Sequence, residues 1–329
     1  MTPNRNANPS AGGATAILIV IAIALLAALV VFVGLPNTSK FMHVLHKAGH
    51  PMVFGVIAML VLMLITRYQK TADHPKWSRH LLAFGIAVAI GAMTEIAQLL
   101  THRGAAVADV VSDALGGAAG LAWFRAITEW RMAEKPAGIK VPMLSLALLL
   151  TIVALAPLFW SLAAYAERDT RFPVILQNPS ALDMYFVHSN ADNVSVTQET
   201  GNSAKPNEAK SLRVALDKGR YPGMQVTEPF PVWRGYGTLA IDLTNPGNHE
   251  LEVVIRVHDR HHSYQYEDRF NRPIILGAGL RTTIEIPLLE VQHGPKGRLM
   301  NLDTIANLAI FALQPVAGGE FIVHRIWLH

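Results

Sequence analysis

Long apolar segments in the first half of the chain and short alternating segments in the second half predict two different architectures. About 20 apolar residues cross the hydrocarbon core of a bilayer as a helix. The predicted spans are residues 14–34, 48–66, 81–100, 107–124 and 141–166. Glu95 in the third span and Asp113 in the fourth make these two less apolar than the others. The pattern predicts an all-α transmembrane bundle of five helices, residues 14–166, after a tail at residues 1–13.

Residues 167–329 have the pattern of a β-domain. Short stretches alternate apolar and polar residues, and turn signals such as Asn245-Pro246-Gly247-Asn248 separate them. The predicted strands are residues 211–216, 238–243, 251–257, 281–286, 308–313 and 320–328. Residues 189–210 are polar and lack a period, which indicates a long loop or a disordered insert. Many short strands at such spacing predict an all-β jelly-roll sandwich.

Basic residues predict how the bundle is oriented. They concentrate after the second and fourth predicted spans, at Arg67, Lys70, Lys76, Arg79, Arg125, Arg131, Lys135 and Lys140. Basic loops stay on the cytoplasmic side, so we expect a cytoplasmic N-terminus. An odd number of spans then places the β-domain outside, in the periplasm of a bacterium with the helices in its inner membrane. The first apolar run is too long for a cleaved signal peptide and is interpreted as a retained helix.

Composition narrows the function classes. Hydrophobic residues make up 51% of the 329 residues and charged residues 16%, against about 25% charged in soluble domains. This argues against a disordered chain and a wholly soluble enzyme. The chain has no cysteine, which excludes disulfides, thiolate metal sites and a cysteine nucleophile. A formal charge of +4 is too small to indicate nucleic-acid binding.

Polar residues within the predicted spans form a pattern. Ionisable groups inside a membrane are costly and usually functional. Residues three or four apart share one helix face, and alternating topology brings these faces to one depth, in the outer leaflet. The predicted cluster comprises Lys47, His50, Glu95, Gln98, Arg103, Asp109 and Asp113. Gly116 and Gly120 have the small-x-x-x-small spacing that allows helices to pack closely.

Two segments of this region resemble VanZ-like membrane proteins, over about residues 40–125. HKAGHPMVFGVIAML resembles their Lys-x-x-His segment, and MTEIAQLLTHRGAAVADVVSDALGGAAG resembles their Glu-x-x-Gln…Arg…Asp-x-x-x-Asn-x-x-Gly segment. His46 stands where the family usually has an acid, and Asp113 where it usually has Asn. The resemblance implies membership of a family named for glycopeptide-antibiotic tolerance, without an agreed reaction.

Three functions are open for this cluster. Lys47, His50 and Arg103 are donors suited to phosphate, which favours an anionic lipid headgroup or a lipid-linked glycan precursor. The cluster could instead be a network that stabilises the helices. A third interpretation is an enzyme acting on a lipid-linked phosphate, with His50 as general acid or base. No catalytic residue, metal or cofactor is predicted, although His43 and His46 recur with His50 at helical spacing.

The β-domain resembles galactose-binding-like sandwiches of carbohydrate-binding modules, over about residues 172–329. The resemblance lies in segments such as SLRVALDKGRYPGMQV and WRGYGTLAIDLTNPGNHELEVVIRVHDR, and it implies a glycan ligand. Sugars stack on exposed aromatic rings and bind planar polar groups. The candidates are Trp233, Tyr236, Asp259, Arg260, Tyr264, Tyr266, Asp268 and Arg269. Core packing of Trp233 and a structural ion pair between Asp259 and Arg269 are the alternatives.

Taken together, the sequence predicts a non-enzymatic cell-envelope protein. Its expected partners are a membrane lipid or lipid-linked glycan precursor and an envelope polysaccharide. The alternatives are a membrane enzyme for a lipid-linked phosphate and an anchor that presents a protein-binding sandwich.

Overall fold

The computed structural model has helices first and strands after, as the sequence predicts. It describes residues 9–34, 36, 38–68, 76–100, 106–132, 141–190, 194–199, 210–216, 221–313 and 319–329. The chain divides into two compact units, Met1–Trp160 and Ser161–His329. The division falls within a helix, a little before the predicted start of the second domain at residue 167.

Five long helices make up most of the described part of the first unit. They are α1 (Pro9–Phe32), α2 (Lys40–Tyr68), α3 (Lys76–Leu100), α4 (Val107–Met132) and α5 (Val141–Arg171), which ends in the second unit. Each is long and apolar enough to cross a membrane. Several extend beyond the apolar spans, since polar residues such as Lys40 and Arg171 continue the helix at its ends.

Glycines bring α2 and α4 unusually close together. A Cβ atom on Gly116 would lie 2.1 Å from the Pro51 carbonyl oxygen, and one on Gly120 would lie 2.2 Å from that of Gly55. Both distances are far below van der Waals contact, so only glycine fits there. Contacts advance along both helices together, which shows that α2 and α4 run parallel. This close approach fixes the register of the polar residues at the start of both helices.

The second unit is a sandwich of two antiparallel sheets. Its strands are β1 (Val174–Gln177), β2 (Val187–Ser189), β3 (Ser195–Glu199), β4 (Ser211–Ala215), β5 (Gly223–Thr227), β6 (Thr238–Thr244), β7 (Leu251–Asp259), β8 (Phe270–Leu276), β9 (Arg281–Pro287), β10 (Ile305–Ala312) and β11 (Glu320–Leu328). The first sheet has the order β3-β4-β11-β6-β9, with β1 also paired to β11. The second sheet has the order β2-β5-β10-β7-β8. A short helix, α6 (Leu288–Gln292), follows β9.

Successive side chains along each strand point to opposite faces of the sheet, so the second sheet has one face in the main core and one face turned away from it. On β10, Leu308 and Ile310 belong to the main core, whereas Phe311 belongs to a separate small cluster with Val254. We call the face of the second sheet opposite the main core the outer face. Its described residues include His188, Gln225, Thr227, Val254, Arg256, His258, Asn271, Asn307, Ala309 and Phe311.

The structure contains strands that the sequence pattern does not reveal. β3 lies within residues 189–210, so the expectation that this whole segment is loop or disordered is wrong for Ser195–Glu199. Among the described strands it pairs with β4 alone, and it is largely exposed, so it has no apolar alternation to detect. β8 contains Pro273, which an edge strand tolerates because its N–H side can be left unpaired.

Candidate functional site

Two pairs, each of one basic and one acidic side chain, join the first half of α2 to the start of α4. Nζ of Lys47 lies 3.4 Å from an Asp109 carboxylate oxygen. One turn further along both helices, Nδ1 of His50 lies 3.4 Å from a carboxylate oxygen of Asp113. The Lys47 pair is partly exposed, whereas His50 and Asp113 are buried. The pairing follows from the parallel glycine contact, which keeps the two helices in step.

Glu95 on α3 completes a three-helix arrangement. Its Oε2 accepts a hydrogen bond of 3.0 Å from the backbone N–H of Ala106, directly before α4. One potential ligand atom from each of His50, Glu95 and Asp113 lies within 4.8 Å of the other two. All three side chains are buried, with Asp113 only 1% exposed.

Four atoms of this trio make no hydrogen bond among the described residues: Nδ1 of His50, Oε1 of Glu95 and both carboxylate oxygens of Asp113. Two of them, Nδ1 of His50 and one Asp113 oxygen, face each other in the 3.4 Å pair, without hydrogen-bond geometry. An unsatisfied buried polar group costs about 1–3 kcal/mol, and more if it is charged. Buried polar atoms in native proteins normally have partners. The concentration of unpartnered atoms at one point therefore calls for a ligand or for shared protons.

Of the other two residues of the predicted cluster, the structure describes only Gln98, on α3. The Gln98 side-chain amide donates to the Val30 carbonyl on α1, at 3.4 Å, so it links α1 to α3. Arg103 lies outside the described residues. Headgroup binding by the full set therefore stays a prediction.

In the sandwich, Trp233 is not available for stacking. Its side chain is 0% exposed and lies in the main core. The indole N–H donates to the Phe230 carbonyl at 2.8 Å. Tyr236 also packs against this core, edge-on to Phe172. The sequence-based assignment of Trp233 to a glycan site is wrong, because this indole fills the interior.

Asp259 is a structural residue whose partner is Arg298, and the alternative pairing with Arg269 is wrong. Arg298 donates to both carboxylate oxygens, at 2.7 and 2.9 Å, and the Asn301 backbone N–H donates to one of them at 2.8 Å. Burial alone would raise the pKa of Asp259, but these hydrogen bonds outweigh it and lower the pKa. Arg298 also pairs with Asp268, which joins the two ends of the segment between β7 and β8.

That segment presents the exposed candidates. Tyr264 is 89% exposed and Tyr266 is 67% exposed, and Arg260 is exposed as well. Asp268 accepts a 2.7 Å hydrogen bond from the Ser263 backbone N–H. The guanidinium of Arg269 lies 5.4 Å from the centre of the Tyr266 ring. The Asp259 network thus holds a tyrosine-bearing segment beside the edge of the second sheet.

A further set of residues, on the outer face next to this segment, was not predicted from the sequence. The guanidinium of Arg256 lies 4.3 Å from the centre of the Phe311 ring, and the Tyr221 ring packs edge-on against the same phenyl group. Nε of Arg256 donates to the Asn271 side chain at 3.1 Å. The alternation of β7 identifies Arg256 as facing away from the core, but only strand pairing places it beside Phe311.

Arg256 and Arg269 are close enough to repel one another, and neither has an acidic partner in the part of the chain that the structure describes. No described carboxylate forms an ion pair with either, and Nε of Arg269 is buried without a hydrogen-bond partner in the described part of the chain. Burial, followed by the positive charge of Arg269, lowers the pKa of Arg256 to about 10. Burial also lowers the pKa of Arg269. Tyr221, Tyr266, Arg256 and Arg269 form what we call the arginine–tyrosine patch.

Comparisons with known proteins give structural neighbours only. No protein-family model and no curated protein matches the chain. The family 11 carbohydrate-binding module from Clostridium thermocellum, in complex with a beta-1,3-1,4-mixed-linked tetrasaccharide, is 18% identical with a TM-score of 0.32. The match covers 43% of this chain and 86% of that module.

The other neighbours include larger enzymes. An exo-beta-agarase is 17% identical with a TM-score of 0.34, over 44% of this chain and 23% of the agarase. A C. thermocellum xylanase fragment, with CBM22-1 and GH10 modules, is 11% identical with a TM-score of 0.32, over 44% of this chain and 26% of the fragment. The chain thus spans about a quarter of each of these two. The assignment of a β-sandwich rests on its own strand pairing.

Proposed function

We propose that this chain is a membrane-anchored glycan-binding protein whose arginine–tyrosine patch binds an acidic polysaccharide of the cell envelope. The observation that carries the proposal is the pair of half-buried guanidinium groups, Arg256 and Arg269, for which no carboxylate partner occurs among the described residues. Two neighbouring uncompensated cations repel one another and are stabilised by an anion. Arginine is suited to carboxylate, sulfate and phosphate groups because its planar fork of donors matches their oxygens.

The rest of the patch supports a sugar over a simple anion. Tyr221 and Tyr266 are 44% and 67% exposed, and aromatic rings stack against the apolar faces of pyranose rings. Farther along the outer face, the Asn307 amide donates to the Gln225 side chain at 2.9 Å. Such planar amides bind sugar hydroxyls. An acidic glycan thus matches this face, because its anionic groups can bind the arginines and its rings and hydroxyls can bind the tyrosines and amides.

The membrane part of the proposal rests on the five long apolar helices. With the basic segments after α2 and α4 on the cytoplasmic side, the sandwich lies outside the inner membrane, where envelope polysaccharide is found. Because the sandwich and the helices belong to one chain, membrane anchoring raises the effective concentration of the sandwich for a polymer at the same membrane.

The test is glycan binding by the full-length protein in detergent micelles. Wild-type protein is assayed against a polyuronate and a neutral mixed-linkage glucan of similar length. We expect binding of the polyuronate, with an affinity that falls as salt rises. Arg256→Gln should lower the affinity at least about tenfold, since a charge-assisted hydrogen bond is worth about 1.5–3 kcal/mol.

Arg272→Gln is the matched control. Arg272 lies on β8 opposite Ile255 of the main core, so it faces away from the patch, and it pairs with Glu290. The proposal fails if wild-type protein retains no acidic glycan, or if Arg272→Gln weakens binding as much as Arg256→Gln. Equal affinity for the neutral glucan would show that charge does not select the ligand.

A further inference from the structure

The buried trio of His50, Glu95 and Asp113 has the donor atoms of a metal site. Imidazole nitrogen and carboxylate oxygen bind divalent transition metals such as Zn²⁺ at about 2.0–2.2 Å. Two ligands of a tetrahedral ion at this distance lie about 3.4 Å apart. The His50–Asp113 distance is 3.4 Å, and one donor atom from each of the three residues lies within 4.8 Å of the others. Small side-chain movements would bring Glu95 to the same ion.

The unpartnered atoms provide the independent indication. Nδ1 of His50, Oε1 of Glu95 and both oxygens of Asp113 are buried and lack hydrogen-bond partners among the described residues. These are the atoms that would bind an ion. By contrast, the second oxygen of Glu95 accepts the Ala106 N–H, a contact that orients its carboxylate. Such an orienting contact is common around metal ligands.

Charge favours a cation over an anion at this point. Two buried carboxylates and a neutral imidazole carry a charge of −2, which a divalent ion balances. Lys47, the described cation nearest in sequence to His50, pairs with Asp109 one turn away. The trio thus differs from the site for an anionic headgroup that the sequence suggests. It also differs from a metal site made of His43, His46 and His50, since it takes one histidine from α2 and one acid from each of α3 and α4.

We propose that His50, Glu95 and Asp113 bind one divalent transition-metal ion, with Zn²⁺ as the probe, and that this ion ties α2, α3 and α4 together. The three ligands come from three helices, so binding stabilises the folded bundle over any state in which the helices separate. The glycine contact between α2 and α4 preforms two of the three ligands. The proposal is independent of glycan binding by the sandwich.

The experiment measures metal content and thermal stability of the full-length protein in detergent. Protein is stripped with a chelator, incubated with Zn²⁺, passed over a desalting column and analysed by elemental mass spectrometry. We expect one ion per wild-type chain beyond any bound to Asp113→Asn, and a rise in the melting temperature of the helical unit on Zn²⁺ addition. Co²⁺ should give the visible absorption of a bound ion and be displaced by Zn²⁺.

Asp113→Asn and Asp109→Asn are a matched pair, because each removes one carboxylate from the same helix, one turn apart. Asp113→Asn and Glu95→Gln should lower Zn²⁺ affinity at least tenfold and abolish the thermal shift, while Asp109→Asn keeps both. Helix content by circular dichroism shows that the variants are folded.

The proposal is overturned if folded wild-type protein binds no more Zn²⁺ than Asp113→Asn. An equal loss of Zn²⁺ affinity in Asp109→Asn and Asp113→Asn would also overturn it. If Asp113→Asn stabilises the protein without any metal effect, the trio is a network of shared protons.

Discussion

At the scale of single residues, Asp259 determines how the segment between β7 and β8 is held. Its side chain is 0% exposed and receives donors from Arg298 and from the Asn301 and His261 backbone. Removing one partner from such a pair leaves the other group without compensation, which costs more than forming the pair gains. The tyrosines of the segment depend on this network for their position.

Asp259→Asn should lower the free energy of unfolding of the sandwich by about 3 kcal/mol, because Arg298 loses its buried carboxylate. The measurement is the urea dependence of hydrogen exchange in β10 peptides of the full-length protein. The control is Asp303→Asn, which removes a carboxylate from the exposed Arg234 pair and should cost much less, because solvent screens a surface ion pair. A smaller loss in Asp259→Asn than in this control would contradict the structural role.

The same carboxylates predict acid sensitivity. Hydrogen bonds from Arg298 and Ser263 lower the pKa of Asp268 to about 2, and the pKa of Asp259 is also lowered. A lowered pKa in the folded state gives stability that is present above the unfolded value of about 3.9 and is lost as pH falls toward the folded value. The urea concentration at which half of the sandwich is unfolded should therefore decrease as the pH is lowered from about 4 to about 2. If the urea midpoint of Asp259→Asn decreased just as steeply with falling pH, Asp259 would not contribute to the acid sensitivity.

Residue chemistry could be predicted from the sequence where it depends on short spacing. Lys47 with His50, and Asp109 with Asp113, share helix faces because each pair is three or four residues apart. The partner of Asp259 was not predictable in the same way, because Arg298 is 39 residues away and meets it only through the folded sandwich. Likewise, nothing local in the sequence shows that the Trp233 side chain points into the core.

At the scale of elements, the close contact between α2 and α4 determines how the helices of the first unit are aligned. Gly116 and Gly120 were recognisable as a packing pattern, but their partners Pro51 and Gly55 were not. Strands β6, β7, β9 and β11 are long and alternate clearly, so the sequence predicts them nearly in full. β1 and β2 have four and three residues, too few for alternation to distinguish a strand from a turn.

Gly116→Ala should destabilise the helical unit by about 1–3 kcal/mol, the usual range for overpacking, because the new methyl group would collide with the Pro51 carbonyl. Gly85→Ala is the same change on α3, where a Cβ atom meets nothing within 4 Å. It should be neutral or stabilising, since alanine favours the helix over glycine. Thermal unfolding in detergent compares the two. Equal midpoints would show that α2 and α4 do not need this close approach.

At the scale of the whole molecule, the absence of cysteine in the 329 residues makes the predicted orientation directly testable. Gln265→Cys introduces one thiol on an exposed segment of the sandwich, and Tyr68→Cys introduces one at the end of α2, where the side chain is 69% exposed. Five spans with a cytoplasmic N-terminus place these positions on opposite sides of the inner membrane, because α2 ends on the basic, cytoplasmic side.

In cells with a permeabilised outer envelope, a membrane-impermeant maleimide should label Gln265→Cys before lysis and Tyr68→Cys only after lysis. Addition of detergent should make both thiols reactive, which controls for thiols hidden by folding. If Tyr68→Cys reacts first and Gln265→Cys only after lysis, the sandwich is cytoplasmic and cannot meet envelope polysaccharide. If both react before lysis, the number of membrane-crossing helices between residues 68 and 265 is even, which contradicts the predicted topology, in which α3, α4 and α5 all cross.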